Sequence, residues 1–170
     1  RSGTTWTQQQ RLTASDKAIS DEFGSSVAID GDTCVAGAWN EDAGGSNAGA
    51  AYVFTRSGTT WTQQQKLVAS DAAAGDNFGG ASAISGDTVV IGAFNNGAGA
   101  AYVFTRSGTT WTQQQKLTGS DATGSSDYFG RNVRIFEDTI MVTATGHTSF
   151  SGKGAAYIFT RSGTTWTQVK

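Results

Sequence analysis

The sequence has no proline, one cysteine and one histidine among its 170 residues. A single cysteine excludes an internal disulfide. Cys34 corresponds to Val89 and Ile140 in the repeats described below, so we expect a small buried hydrophobic side chain there and not a reactive thiol. His147 has no second histidine with which to hold a metal ion, and it lies in a Gly/Thr/Ser segment. Neither residue therefore indicates a catalytic centre.

The sequence is also poor in charge and in long apolar runs. A formal net charge of −2 gives no basic surface of the kind that binds nucleic acid. No apolar run approaches the roughly 18 residues of a membrane span. Glycine, threonine, serine, alanine and glutamine fill much of the chain, as is typical of β-rich secreted proteins. We therefore expect an extracellular or cell-surface location, no nucleic-acid partner and no membrane span.

What the chain does contain is an internal repeat. The string RSGTTWTQ starts at Arg1, Arg56, Arg106 and Arg161, and residues 48–67 recur unchanged at residues 98–117. A repeat of about fifty residues is typical of solenoids, propellers and other repeat arrays. The chain therefore contains three similar units.

Each unit is predicted to form four short strands. The first strand begins at a Phe-Gly pair, and in the first unit apolar Val27 and Ile29 alternate with small residues, as in a half-buried strand. The second strand is a continuous apolar run (TCVAGA, TVVIGA or TIMVTA), which indicates burial on both faces. The third is GAAYVFT or GAAYIFT, and the fourth carries a tryptophan. The Phe-Gly pairs are Phe23 and Gly24, Phe78 and Gly79, and Phe129 and Gly130.

The turn between the first two strands has glycine in two units. Gly31 and Gly86 supply the positive φ of a two-residue hairpin turn. The third unit has Glu137 at this position, which leaves its turn type open.

Two further residue types recur once per unit. The fourth-strand tryptophans resemble sugar-stacking platforms, but packing between units is favoured because every copy has one. Two aspartates recur in the connections, where they could bind a cation; fixing the turn through backbone N–H groups is favoured. The tryptophans are Trp6, Trp61, Trp111 and Trp166, and the aspartates are Asp16, Asp71 and Asp121 with Asp21, Asp76 and Asp127.

The Phe-Gly pair, the Gly-Ala that ends the second strand and the GAAYVF strand together resemble the FG-GAP repeat. That repeat builds the β-propeller of integrin α subunits and of many bacterial secreted or surface proteins, and the long RSGTTWTQQQKL strand looks like the bacterial form. The resemblance implies an all-β fold of propeller blades. In the family the Gly-Ala pair is usually followed by proline, whereas here Trp39 and Phe94 take that place, and Thr143-Ala144-Thr145 departs further.

The blades are predicted at residues 14–69, 70–119 and 120–170, with residues 1–13 as an extra, orphan fourth strand. Propellers close with about four to eight blades, so three four-stranded antiparallel blades make an incomplete ring. An unpaired strand is a liability unless something covers it. We therefore expect further repeats of the same parent chain, or self-association, to complete the assembly.

The calcium loops of the family do not carry over to this sequence. Calcium needs six to eight oxygen ligands, and the Asp30-Gly31-Asp32 connection is too short to supply them. Residues 40–47 could supply oxygens in the first unit alone, so we expect no cofactor, with calcium as the less favoured alternative.

No nucleophile with a paired base and no metal-spaced cluster is visible, so we expect no enzymatic activity. The predicted function is a structural or adhesive extracellular scaffold with a protein or glycan ligand. A carbohydrate-binding lectin and an accessory domain of a larger secreted enzyme are the alternatives. Variation is concentrated in the loops between second and third strands, where binding function usually lies. The candidate ligand-binding residues are Trp39, Asn40, Glu41, Asp42, Phe94, Asn95, Asn96 and His147; for Trp39 and Phe94, packing under the loop is an equal alternative.

Overall fold

The computed structural model describes residues 3–146 and 152–169, and all regular secondary structure within them is β. The strands form three four-stranded antiparallel sheets, each in chain order. The first sheet contains β1 (Phe23–Asp30), β2 (Thr33–Ala38), β3 (Ala50–Ser57) and β4 (Thr60–Leu67). The second contains β5 (Phe78–Ser85), β6 (Thr88–Ala93), β7 (Ala100–Ser107) and β8 (Thr110–Leu117). The third contains β9 (Phe129–Phe136), β10 (Thr139–Ala144), β11 (Ala155–Ser162) and β12 (Thr165–Gln168). The predicted fold class of four-stranded antiparallel blades is confirmed.

The blades lie side by side. The first strands β1, β5 and β9 are neighbours, whereas the fourth strands β4, β8 and β12 contact one another only sparsely. The first strands are thus central and the fourth strands peripheral, as in a propeller that does not close. Burial follows from this order: β6, in the middle blade, is buried along its whole length, whereas β10 buries only every second residue.

All three hairpin turns between first and second strands share one conformation. Gly31, Gly86 and Glu137 have φ values of 56°, 54° and 50°. The turn that the sequence left open therefore has the same left-handed residue as the other two, although glutamate carries a Cβ that disfavours it.

The Phe-Gly and Gly-Ala pairs meet where one blade contacts the next. The backbone N–H of Phe78 donates to the carbonyl oxygen of Ala48 (2.8 Å) in the preceding blade. A Cβ on Gly37 would lie 1.9 Å from the carbonyl oxygen of Gly79, which is far inside van der Waals contact. Gly92 stands in the same relation to Gly130, at 2.0 Å. Glycine is required at these positions because two backbones approach each other directly.

The N-terminal segment differs from the prediction. Residues 6–14 belong to none of the three sheets, so the extra strand predicted at residues 1–13 is not formed as a strand in the part of it that is described. The segment is attached through side chains: Gln10 Nε2 donates to the carbonyl oxygen of Trp61 (2.9 Å), and the Trp61 N–H donates to Gln10 Oε1 (2.8 Å). Leu12 and Ala14 pack against the apolar face of the first blade. These side-chain contacts stand where the other blades have a fourth strand with backbone ladder bonds.

The same glutamine contact links the other blades. Gln65 makes this pair of hydrogen bonds with the backbone of Trp111, and Gln115 makes it with Trp166. Among the described residues, no helix has the length and apolar character that a membrane span needs.

Candidate binding site

Two of the predicted site residues lie together at one end of the blades. Trp39 follows β2 and Phe94 follows β6, and their ring centroids are 5.5 Å apart at an angle of 50°. The Trp39 indole N–H donates to Glu22 Oε2 (2.8 Å), which fixes the orientation of the ring. The two aromatic residues that replace the family's proline therefore form one contact across two blades.

The third blade extends this contact. The ring of Tyr128 lies 6.5 Å from the ring of Phe94 in an edge-on arrangement. The guanidinium of Arg131 lies 4.4 Å from the Phe94 centroid and 6.0 Å from the Trp39 centroid. We call Trp39, Phe94, Tyr128 and Arg131 the aromatic row, since each blade contributes at least one of its members.

The backbone beside the Phe-Gly pairs makes room for the row. A Cβ on Gly80 would lie 2.5 Å from the Phe94 ring, so glycine allows the ring to approach β5 closely. Tyr128 has a φ of 54°, and the Arg131 N–H donates to its carbonyl oxygen (3.1 Å). This tight turn presents the Tyr128 ring and the Arg131 side chain on the same surface.

The aromatic row borders a shallow depression of about 450 Å³, to which Asn95 and Thr145 also contribute. Phe94 itself is buried, with 6% of its surface exposed, whereas Tyr128 is 37% exposed. Arg131 is exposed and Trp39 is half-buried. A ligand in the depression would therefore meet the guanidinium and the outer parts of Trp39 and Tyr128, with Phe94 supporting them from below.

The two asparagines after Phe94 are bonded within the protein. Asn95 Nδ2 donates to Asn77 Oδ1 (2.6 Å) at the edge of the depression. Asn96 Nδ2 donates to Asp76 Oδ2 (2.7 Å), and Asn96 Oδ1 accepts from Lys116 (2.6 Å). Asn95 thus lies beside the aromatic row, whereas Asn96 ties its loop to the blade.

The acidic loop of the first blade is bonded to itself and to β4. Glu41 is buried and pairs with Lys66 at 2.7 Å, and its other oxygen accepts from the Ala43 N–H (2.9 Å). Asp42 Oδ1 accepts from the Asn47 N–H (2.8 Å). The Asn40 N–H donates to the carbonyl oxygen of Asp21 (3.4 Å). None of these three lines the depression, and His147 lies outside the described residues.

The recurring aspartates hold the connections between blades. Asp21, Asp76 and Asp127 are buried, and each accepts from the backbone N–H three residues before it. Asp71 accepts from the hydroxyl of Tyr102 (2.8 Å) and from Lys116 (2.7 Å). Burial alone would raise the pKa of Asp71, but these hydrogen bonds outweigh it and the pKa lies below its usual value.

The fourth-strand tryptophans differ in exposure according to what covers them. Trp111 and Trp166 are buried and donate their indole N–H groups to Gln64 and Gln114 of the preceding blade. Trp6 is 78% exposed. The rings of Trp111 and Trp166 therefore pack between blades and offer no exposed face on which a sugar could stack.

Metal-ligating side chains do not cluster in the part of the chain that the structure describes: no group of three or more His, Cys, Asp or Glu residues is placed to hold an ion. The carboxylates of residues 40–47, which the sequence offered as oxygen donors, make the internal contacts given above.

Comparison with protein-family models shows which family this arrangement represents. The model described as the FG-GAP repeat matches three times, at residues 6–54, 61–104 and 111–159. The chain belongs to the FG-GAP repeat family, whose members commonly occur in extracellular proteins and are typically non-catalytic. Among curated proteins, no relative matches the sequence.

Sequence reasoning missed Glu22, Tyr128 and Arg131. Tyr128 occupies the position of Glu22 and Asn77, one residue before the Phe-Gly pair, and Arg131 occupies the position of Ser25 and Gly80. Large side chains at these two positions of the third repeat were the available signal. Their connection to Trp39 and Phe94 depends on how blades pack, which no single repeat reveals.

Proposed function

We propose that this chain is a non-enzymatic extracellular scaffold module whose aromatic row binds an acidic group on a partner protein. The observation that supports this proposal is the exposed Arg131 guanidinium over the Phe94 ring, in a depression that Trp39 and Tyr128 also line. Arginine binds carboxylates through paired hydrogen bonds in a fixed plane. The contact with Phe94 orients the guanidinium, while Trp39 and Tyr128 supply apolar surface in the same depression.

Rigidity favours a binding role for the row. Its members come from three blades that are tied together by backbone contacts, so the spacing of the side chains is set before any ligand arrives. Binding to a preorganised surface avoids the entropic cost of ordering loops. Adhesive contact through such a surface needs no catalytic group.

The test is a binding screen with purified protein against acidic peptides and, separately, against a glycan array. We expect binding to peptides in which Asp or Glu adjoins an aromatic or aliphatic residue, and loss of at least about tenfold in affinity for Arg131→Ala, as for removal of a charge-assisted hydrogen bond. Trp6→Ala is the matched control, because Trp6 is exposed but lies outside the row. Equal binding by wild type and Arg131→Ala would contradict the proposal.

A lectin is the second candidate, and the aromatic ring of Trp39 beside the Asn95 amide favours it. Aromatic faces and amide groups are the usual sugar-binding pair. If the protein binds the glycan array, and if this binding is lost in Trp39→Ala but kept in Arg131→Ala, the ligand is a neutral sugar and not an acidic protein group.

A further inference from the structure

The two outer faces of the three-blade stack differ in chemistry. On the first blade, the outward face carries Val27 and Ile29, which are 73% and 65% exposed. These side chains line an apolar groove together with Leu12, Phe23 and Cys34. The third blade faces outward with Asn132, Arg134 and Met141 instead.

The groove of the first blade has two covered counterparts in the same molecule. Cys34 aligns with Val89 and Ile140, and both are fully buried against the preceding blade. Leu12 aligns with Leu67 and Leu117, which pack in those same interfaces. In the second and third blades, the equivalent surface is covered by the preceding blade, which packs against it with the face that carries Gly37 or Gly92.

The opposite end of the stack lacks the residue that this interface requires. Gly37 and Gly92 pair with Ala51 and Ala101 in their sheets, and Thr143 pairs with Ala156 at the same register position. A Cβ at Gly37 or Gly92 would lie about 2 Å from a carbonyl oxygen of the next blade. Thr143 carries such a Cβ, and its hydroxyl accepts hydrogen bonds from the backbone N–H and the side-chain amide of Asn132.

We propose that the groove of the first blade is a docking surface for one further FG-GAP blade, and that Thr143 makes the third blade a terminal one. The partner is a blade that presents glycine at the Gly37 position and small apolar residues around it, as the second blade does with Val90, Ala101 and Val103. Residues 3–13 serve as the fourth strand of that blade. This inference does not depend on what the aromatic row binds.

A second copy of this chain does not fit as the partner in the same geometry. The glycine-bearing faces of its first two blades are already covered, and its third blade offers Thr143 and the charged Arg134. Head-to-tail stacking of copies would place Thr143 against the carbonyl of Gly24. In this geometry a further blade can therefore dock on the first blade but not on the third.

The test adds a blade at each end. Arg106–Gln115 and Arg1–Gln10 are identical in sequence, so a copy of residues 70–105 placed before Arg1 restores a complete repeat. We expect this fusion to slow alkylation of Cys34 by about tenfold or more, since a tethered blade acts at an effective concentration in the millimolar range. The matched control is the same fusion with Gly92→Thr in the added copy, which should leave the Cys34 rate as it is in the original chain.

The reciprocal fusion places a copy of residues 66–117 after Lys170. We expect the added segment to be cleaved rapidly by protease, and to become resistant when Thr143→Gly, Arg134→Ala and Asn132→Ser are introduced in the third blade. The proposal is overturned if the N-terminal blade leaves Cys34 as reactive as before, or if the C-terminal blade docks without these substitutions. Light scattering that shows the original chain to be a dimer with protected Cys34 would overturn it as well.

Discussion

At the scale of single residues, the glycines of this protein are explained by what lies opposite them. Gly92 and Thr143 occupy one register position in successive blades, yet only Gly92 faces the backbone of another blade, 2.0 Å from where its Cβ would be. Glycine is therefore required at this position in the second blade, whereas the third blade tolerates threonine there.

We expect Gly92→Ala to destabilise the protein by about 1–3 kcal/mol, because overpacking forces two backbones apart. Thr143→Ala is the matched control and should cost less than about 1 kcal/mol, since the two hydrogen bonds from Asn132 that it removes are long and exposed. Urea unfolding of both variants measures the difference. A Gly92→Ala variant as stable as wild type would show that the blades are not in direct backbone contact.

Glu137 offers a substitution in the opposite direction. Its φ of 50° costs a side-chain-bearing residue about 1–2 kcal/mol, of which the flexibility of glycine in the unfolded chain offsets part. We expect Glu137→Gly to raise the free energy of unfolding by about 0.5–1 kcal/mol. Glu137→Ala should give no such gain, and a gain from both variants would place the cause in the lost charge.

At the scale of elements, side chains hold the fourth strands together where ladder hydrogen bonds do not. The Gln65 side chain accepts from the N–H of Trp111 (2.7 Å) and donates to its carbonyl oxygen (2.8 Å). These two hydrogen bonds take the place of the pair that a neighbouring strand would make. The N-terminal segment relies on the equivalent contact of Gln10.

We expect Gln65→Ala to cost about 1–3 kcal/mol, since it leaves the part-buried backbone N–H of Trp111 without its partner. Gln10→Ala should cost less, because its contacts are exposed. Hydrogen exchange distinguishes the two: Gln10→Ala should accelerate exchange in residues 5–15 alone. Acceleration throughout the first blade in that variant would contradict this assignment.

The connection between the first two blades gives a pH dependence. Because the folded pKa of Asp71 is lowered, its contribution to stability is present above the unfolded pKa of about 3.9 and is lost as pH falls through the folded value. We expect the urea midpoint to fall as pH drops from about 5 to about 2.5, and to fall less in Asp71→Asn. An unchanged pH profile in that variant would exclude Asp71 as a contributor.

Element positions were predictable because the sequence repeats itself. Phe-Gly marks the start of β1, β5 and β9 in each copy, and the apolar run marks the second strand. The N-terminal segment was predicted to be a strand from its sequence alone, but a strand needs ladder partners and residues 6–14 have none.

The residues of the aromatic row were predictable only in part, because the row depends on how three blades pack together. Trp39 and Phe94 stood out because they replace the proline of the family. Tyr128 and Arg131 join them through the packing of three blades, a relation that the sequence of one repeat does not contain. Glu41, Asp42 and Asn96, which the sequence offered as ligand groups, make ion pairs or hydrogen bonds within the protein.

At the scale of the whole molecule, the structure is an incomplete propeller whose first blade has an open apolar face. The face is defined by equivalent positions: Cys34 is half-buried in the groove, whereas Val89 and Ile140 are fully buried between blades. Burial raises the pKa of the Cys34 thiol and slows its reaction, but the groove leaves it accessible.

Thiol labelling at these three positions measures directly whether the face of the first blade is open. The wild-type chain is compared with Cys34→Val/Val89→Cys and Cys34→Val/Ile140→Cys under native conditions, with unfolded samples to normalise the rates. The structure predicts that Cys34 is alkylated faster than the thiols at positions 89 and 140, which react only as the blades open. Equal protection of all three thiols, or equal reactivity, would contradict an open first blade beside two covered ones.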